Sequence, residues 1–276
     1  MNVEEYATMF SVEDTHWWYR GLRGMVRRAW GRHMGVGPVR VLDAGCGTGA
    51  ILAMLRAHAR AQSARPVGVD LMPEAIRFCR IRQQNVTAAA SVVALPFPDG
   101  AFDAALSLDV LCHRSIRDKR APLLELGRVL RPGGILILNL PAYQWLYSSH
   151  DVAVHTDTRF TKGQAVGLLG DCGFSVIEAT YWNSLLFPPI VATRLWRKIF
   201  PPSGSDLASG GTGALNALFR IVLGLERALL RLTPMPMGLS LFLVARKGES
   251  GQSGQSGHAG HGGHGAAEPQ PQAKST

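Results

Sequence analysis

The stretch Val39 to Gly49, VRVLDAGCGTG, constrains this chain more than any other. Val39, Val41 and Leu42 read as a short buried strand that ends in an acid, Asp43. Gly45, Gly47 and Gly49 then turn the chain into a helix over Ala50 to Ala61. Glycine has no Cβ and tolerates positive φ, so a strand that breaks at glycines into a helix brings backbone close to a bound ligand.

From Val39 onward strands and helices alternate. The pattern predicts strands near 39–44, 66–70, 89–93, 102–108 and 133–140, and helices near 50–61, 73–84, 118–130 and 161–172. Pro73 suits a first helical turn. Two more strands follow, Phe174 to Trp182 and Ser240 to Arg246. The apolar strands do not alternate strictly, as expected when both faces of a sheet are covered. Such a chain folds as a doubly wound α/β sheet whose ligands sit beyond the carboxyl ends of its strands.

Flanking segments differ in character. Residues 1–37 read as an N-terminal helical cap, with three adjacent aromatics at Trp17, Trp18 and Tyr19. Adjacent helical residues cannot share one face, so these three must point in different directions. Residues 184–239 read as a helical insertion before the last strand. Within it Leu215, Leu218, Phe219, Val222, Leu225 and Leu229 recur at helical spacing, with Arg220, Arg227 and Arg231 outside the stripe. From about Gly248 the chain holds no large apolar residue and is expected to be disordered, its His258, His261 and His264 belonging to a flexible polar tail.

The 276 residues carry a net charge of +9, which favours acidic partners such as an anionic membrane surface or a phosphorylated substrate. The basic residues do not form a nucleic-acid-reading pattern, and no nucleic-acid partner is expected. Cys46, Cys79, Cys112 and Cys172 have no metal-ligand spacing and read as reduced thiols of a cytoplasmic protein, with no metal site. No signal peptide or spanning helix is expected. The basic amphipathic stretch 184–232 leaves open a peripheral contact with the inner membrane face.

The glycine turn alone is ambiguous, because Gly45-x-Gly47-x-x-Ala50 also satisfies a dinucleotide fingerprint. Asp43 argues against a pyrophosphate there and suits a cationic ligand. S-adenosylmethionine (SAM) has an amino group and a sulfonium and no phosphate. Asp70, ending the strand VGVD, can accept both hydroxyls of a ribose in either reading.

Four blocks then carry a resemblance: VLDAGCGTG at 41–49, VGVD at 67–70, ALPFPDGAFDAALSLDVLCH at 94–113 and LRPGGILILNLPA at 130–142. In this order they resemble the class I SAM-dependent methyltransferases, in particular the bacterial methyltransferase-11-like group. The resemblance implies a seven-stranded sheet with an antiparallel last strand. It implies that Asp43, Gly45, Cys46, Gly47 and Gly49 surround the methionine part of SAM, that Asp70 holds the ribose, and that Leu71 flanks the adenine. Ser91 and Val92 would line the adenine edge, where many relatives have an Asp. Leu108 and Asp109 would end the fourth strand beside the methyl group. The segments HWWYRGLR, PAYQWLYSSHD and GLSLFLVARK are similar to a subgroup of bacterial glycan and natural-product methyltransferases. Relatives there have an arginine-rich stretch after the second histidine, of which only Arg159 is present here.

The expected activity is therefore SAM-dependent methyl transfer to O or N of a small molecule, saccharide or lipid-linked intermediate. A non-catalytic SAM-binding protein and an NAD-dependent oxidoreductase are the alternatives. A base helps if the acceptor is a hydroxyl or a protonated amine. Candidates are His113, after the fourth strand, and the cluster His150, Asp151 and His155, after the fifth; histidine's usual pKa suits the task.

Overall fold

The computed structural model describes residues 3–35, 37–62, 64–199 and 213–249. Two helices, α1 (Val3–Val12) and α2 (Trp17–His33), precede β1 (Val39–Ala44). There follow α3 (Ala50–Gln62), β2 (Ala64–Asp70), α4 (Pro73–Ile81), β3 (Thr87–Ala89) and β4 (Phe102–Leu108). Then come α5 (Arg120–Val129), β5 (Leu130–Pro141), the single-turn α6 (Ser149–Ala153), α7 (Lys162–Asp171) and β6 (Phe174–Trp182). The chain closes with α8 (Phe187–Ile199), α9 (Gly213–Leu229) and β7 (Ser240–Lys247).

The strands form one seven-stranded sheet in the order β3-β2-β1-β4-β5-β7-β6. The β1–β2, β1–β4, β2–β3 and β4–β5 pairs are parallel. β7 runs antiparallel between β5 and β6, as the resemblance implied. Successive residues of each strand feed opposite faces. Leu42, Ala105, Leu136, Leu138 and Leu243 join a core with α5 and α7. Val41, Ala104, Leu106, Ile137 and Val244 join a second core with Met25, Trp30 and Leu223 of α2 and α9. Covering both faces explains why the strands read as apolar runs.

Two boundaries differ from the sequence pattern. The third strand lies at Thr87–Ala89, pairing with Gly68 to Asp70, and not at 89–93. Ser91 instead turns the chain, its Oγ accepting from the Val93 amide at 3.4 Å; serine hydroxyls commonly stabilise such turns. β5 starts at Leu130, because α5 runs directly into it and the β4–β5 register shifts between Phe102 and Ala104. The expected disordered tail lies, beyond Glu249, outside the described residues.

Candidate active site

The carboxyl ends of β1, β2 and β4 meet at the glycine turn, where Gly45 approaches Val110. The amides of Gly45 and Cys46 donate to the Val69 carbonyl at 2.8 and 2.9 Å, binding the turn to β2. Gly47 has φ +52, and a Cβ there would stand 2.8 Å from the methyl of Met9. Glycine adopts that conformation without strain and lets Met9 approach the turn. Asp43 is 2% exposed, and its Oδ2 has no hydrogen-bond partner. Burial, then the nearby Asp70 and Glu13, push its carboxyl up to about 7. A buried acid without a donor is costly unless a ligand supplies one.

Asp70 is well supplied. Its Oδ2 accepts from the Gly47 amide at 3.0 Å, and its Oδ1 from the Met72 amide at 3.1 Å and the Tyr6 hydroxyl at 3.0 Å. Leu71 beside it is 59% exposed, while Val92 is buried and Ser91 half-buried. Cys46 Sγ faces Cys79 Sγ at 3.9 Å, and all four cysteines are free.

The first helix contributes residues that the sequence reading did not single out. Tyr6 and Met9 of α1 lie on Asp70 and Gly47. Glu13 accepts from the Thr48 hydroxyl and pairs with Arg82 at 2.8 Å. Arg82 also pairs with Asp14 at 2.9 Å and stacks over Phe10 at 4.6 Å. The spacing of Tyr6, Met9, Phe10 and Glu13 on one helical face was the available signal.

Past the glycine turn, toward β5 and β6, lies a second group. Asp109 follows β4 with φ +56. Its amide donates to the Asn139 carbonyl at 2.9 Å, and its Oδ2 accepts from Asn139 Nδ2 at 2.7 Å. Asn139 Oδ1 in turn accepts from the Trp182 indole at 2.7 Å. Burial pushes the Asp109 carboxyl up to about 7, against the opposing pull of Asn139 and Arg159. The three adjacent aromatics diverge as helix geometry requires. Trp17 packs on Phe219 at 5.2 Å and Trp18 on Trp182 at 5.9 Å. Tyr19 comes close enough to Asp109 and Glu13 for their charges to help raise its hydroxyl pKa, with burial the larger cause. Tyr143 stacks on Trp145 at 5.8 Å and on Tyr181 at 5.1 Å, and Phe187 of α8 closes against both Tyr143 and Trp145.

The histidine candidates separate. His113 Nδ1 lies 2.7 Å from the Ser115 hydroxyl, its ring faces His155 at 5.7 Å, and burial lowers its pKa to about 4. Burial lowers His155 as well. His150 is half-buried, and its charge is felt by His16, which caps α2. Its own pKa is lowered, chiefly by burial. Asp151 does not serve His150. Both its oxygens are held by Arg159, at 2.8 and 3.1 Å, and Oδ2 also accepts from the Ser148 amide. Arg159 itself is buried and donates further to the Ala142 carbonyl.

The orphaned Asp43 oxygen and the Asp70 carboxylate, at the ends of neighbouring strands, suit a ligand with a cationic amino group and a ribose. Asp43, Gly45, Cys46, Gly47 and Gly49 could hold the amino-acid end of SAM, Asp70 the ribose, and Leu71, Ser91 and Val92 the adenine. Bound SAM would supply a methyl group on an activated sulfonium. The sheet order and this cradle define a class I SAM-dependent methyltransferase.

The comparisons agree. The family described as "Methyltransferase domain" matches residues 42–138. The demethylmenaquinone methyltransferase of Tropheryma whipplei is 37% identical over 215 residues, covering 67% of this chain and 82% of that protein. The fold is shared with a SAM-dependent methyltransferase of Methanosarcina mazei, at TM-score 0.51 and 19% identity over 80% of this chain and 97% of that one. It is shared also with Haemonchus contortus phosphoethanolamine N-methyltransferase 2 in complex with SAM, at TM-score 0.53 and 17% identity, covering 82% and 53%. The chain belongs to the methyltransferase-11-like family of SAM-dependent methyltransferases.

Proposed function

We propose that this enzyme methylates an O or N atom of a small molecule, a saccharide or a lipid-linked intermediate that carries a flat or apolar ring. The observation that carries this reading is the aromatic cluster of Tyr143, Trp145 and Phe187, which begins just beyond the carboxyl end of β5. Such rings stack on an aromatic acceptor or on the apolar face of a sugar. We take 38–247 as the catalytic domain, 1–37 as a cap over the cofactor, and 184–239 as the insertion that shapes the acceptor side.

Transfer from a sulfonium needs alignment and a dry site more than it needs activation. Asp43, the glycine turn and Asp70 fix the donor. Trp18, Tyr19 and His150 bound the acceptor side. Among the described residues no helix is long and apolar enough to cross a membrane. We further propose that 184–232 touches an anionic membrane surface peripherally. Its support is the net charge of +9 and a row of exposed apolar side chains on α9.

The test is direct. Calorimetry with SAM, and with NAD as control, should give binding for SAM alone. Methyl-labelled SAM and an extract of the cells that make the protein should then yield one labelled compound. Label confined to unchanged SAM, with SAM bound, would favour a non-catalytic SAM-binding protein.

A further inference from the structure

Resting on the methyl-transfer reading, we infer that Asp109 is the group that takes the proton from the acceptor, and that Asn139 and Trp182 are its positioning residues. The histidines expected in this role are poorly arranged for it. His113 is held by Ser115 and turned toward His155. The acid beside His150 spends its hydrogen bonds on Arg159, and burial lowers the His150 pKa against the pull of that acid's charge.

Asp109 is arranged differently. A non-glycine residue at φ +56 is disfavoured and persists only where its surroundings impose it. Here Asn139 imposes it twice, through its carbonyl on the Asp109 amide and through its side-chain amide on Oδ2. The Trp182 indole fixes which way the Asn139 side chain faces, because an N–H can only donate and so must meet the amide oxygen. Both Asn139 and Trp182 are fully buried. Asp109 Oδ1 accepts no bond from the described residues, and the residue keeps part of its surface open. One oxygen is therefore locked and the other is free to accept a proton.

The free oxygen of Asp109 is not needed for the carboxylate contacts that the donor's amino group and ribose call for. Asp43 and Asp70 already supply carboxylates at the ends of β1 and β2. A carboxyl that burial pushes up to about 7 is still substantially ionised near neutral pH and, as the carboxylate, is a stronger base than an ordinary Asp. The titratable groups facing it are Arg159 from the segment after α6, Tyr19 from α2 and the Cys112 thiol.

The step balances without a further reagent. As the acceptor O or N forms its bond to the methyl carbon, the carbon–sulfur bond breaks and its electron pair stays on sulfur. The acceptor's proton passes to Asp109 Oδ1, which then releases it to solvent.

Three measurements test this. First, infrared titration of the protein without SAM should show protonated carboxyl absorption that titrates near pH 7, to which Asp43 also contributes, and Asp109→Asn should remove the part that persists in Asp43→Asn. A band of equal intensity in the variant overturns the assignment. Second, Asp109→Asn should lower labelling of the cell extract from methyl-labelled SAM by about 100-fold or more, with SAM affinity changed less than about threefold. Undiminished labelling overturns the assignment, as does SAM affinity that falls in step with it. A wild type that fails to bind SAM, or binds it and labels nothing, overturns the methyl-transfer reading itself. Third, Trp182→Phe leaves the carboxylate in place and weakens the Asn139 donor. It should move the infrared midpoint and the inflection of the labelling rate to higher pH. Unmoved values would remove Asn139 and Trp182 from the assignment even if Asp109→Asn misfolds.

Discussion

The Tyr6 hydroxyl donates to Asp70 Oδ1 at 3.0 Å, so the carboxylate suited to a ribose already has a donor from the N-terminal helix. A ribose hydroxyl that takes the same oxygen must displace Tyr6 or share with it. Removing the hydroxyl removes the competitor. Tyr6→Phe should therefore tighten SAM binding by roughly fivefold, the worth of about 1 kcal/mol for one hydrogen bond. It should also lower the melting temperature of the SAM-free protein. Calorimetry decides, and weaker binding would mean that Tyr6 holds the cofactor and does not compete with it.

Asp43 makes SAM binding depend on pH. Its carboxyl is pushed up to about 7 in the absence of ligand, with Asp70 and Glu13 the charged groups facing it. A cationic amino group favours the carboxylate, so below pH 7 a proton must leave on binding. Affinity should rise about fivefold from about pH 6 to about pH 7.5 and fall again above about pH 8, where the ligand's own α-amino group loses its proton. The same shift acts on stability with the opposite sense of benefit. The folded chain keeps a proton that the unfolded chain releases, so stability falls as pH rises from about 4 through about 7. Asp43→Asn should flatten both dependences. A pH-independent affinity in the wild type would show that another group meets the amino end.

Much of this was legible because the glycine turn and the acid-ended strands are local patterns. Gly45, Gly47, Asp43 and Asp70 lie next to the strands that place them, so short segments reveal them. That both sheet faces are covered followed from the apolar runs, whereas the seven strands and the antiparallel last one were implied by the family resemblance. The third strand was misplaced because Ala88 to Val93 is uniformly apolar apart from Ser91, and only pairing with β2 decides where it ends. The spacing of Tyr6, Met9, Phe10 and Glu13 marked a face of α1, but not its partner, because Tyr6 and Asp70 are far apart in sequence. Asn139 left a trace, one polar residue within the apolar run ILILNLP, but its partners Asp109 and Trp182 come from two other strands. Asp151 beside His150 suggested a catalytic pair; the fold gives the acid to Arg159 instead, a contact that needs the whole loop after β5.

That pairing has its own consequence. Asp151 and Arg159 are both buried and joined by two hydrogen bonds. Removing one partner leaves a buried charge, which typically costs about 3–5 kcal/mol. Asp151→Ala should lower stability by that order in denaturant unfolding. Asp151→Leu combined with Arg159→Leu should recover a large part of the loss, because no unpaired charge remains. If Asp151→Ala left stability intact and abolished methyl transfer, a catalytic role for Asp151 would return.

The outer side of α9 bears on the proposed membrane contact. Leu218, Ile221, Leu225 and Leu229 recur at three- and four-residue spacing and are all exposed, Ile221 at 63%. Leu223 and Phe219 instead face α2. Arg227 lies over Gly24 of α2, and Arg20, Arg27 and Arg231 are near enough to lower its pKa, after burial. The apolar row and the arginine face of α9 therefore point in different directions, and only one of them can lead a surface contact. If the apolar row inserts, replacing Leu218, Ile221 and Leu225 with Ser should weaken binding to vesicles rich in phosphatidylglycerol by about tenfold or more, given about 1 kcal/mol or more for each side chain taken from water. Raising the salt concentration should then matter little. If the arginines lead, Arg220→Gln with Arg231→Gln should have the larger effect, and binding should fall steeply with salt. Vesicle co-sedimentation of both variants separates the two cases, and a wild type that does not sediment with the vesicles would end the membrane proposal.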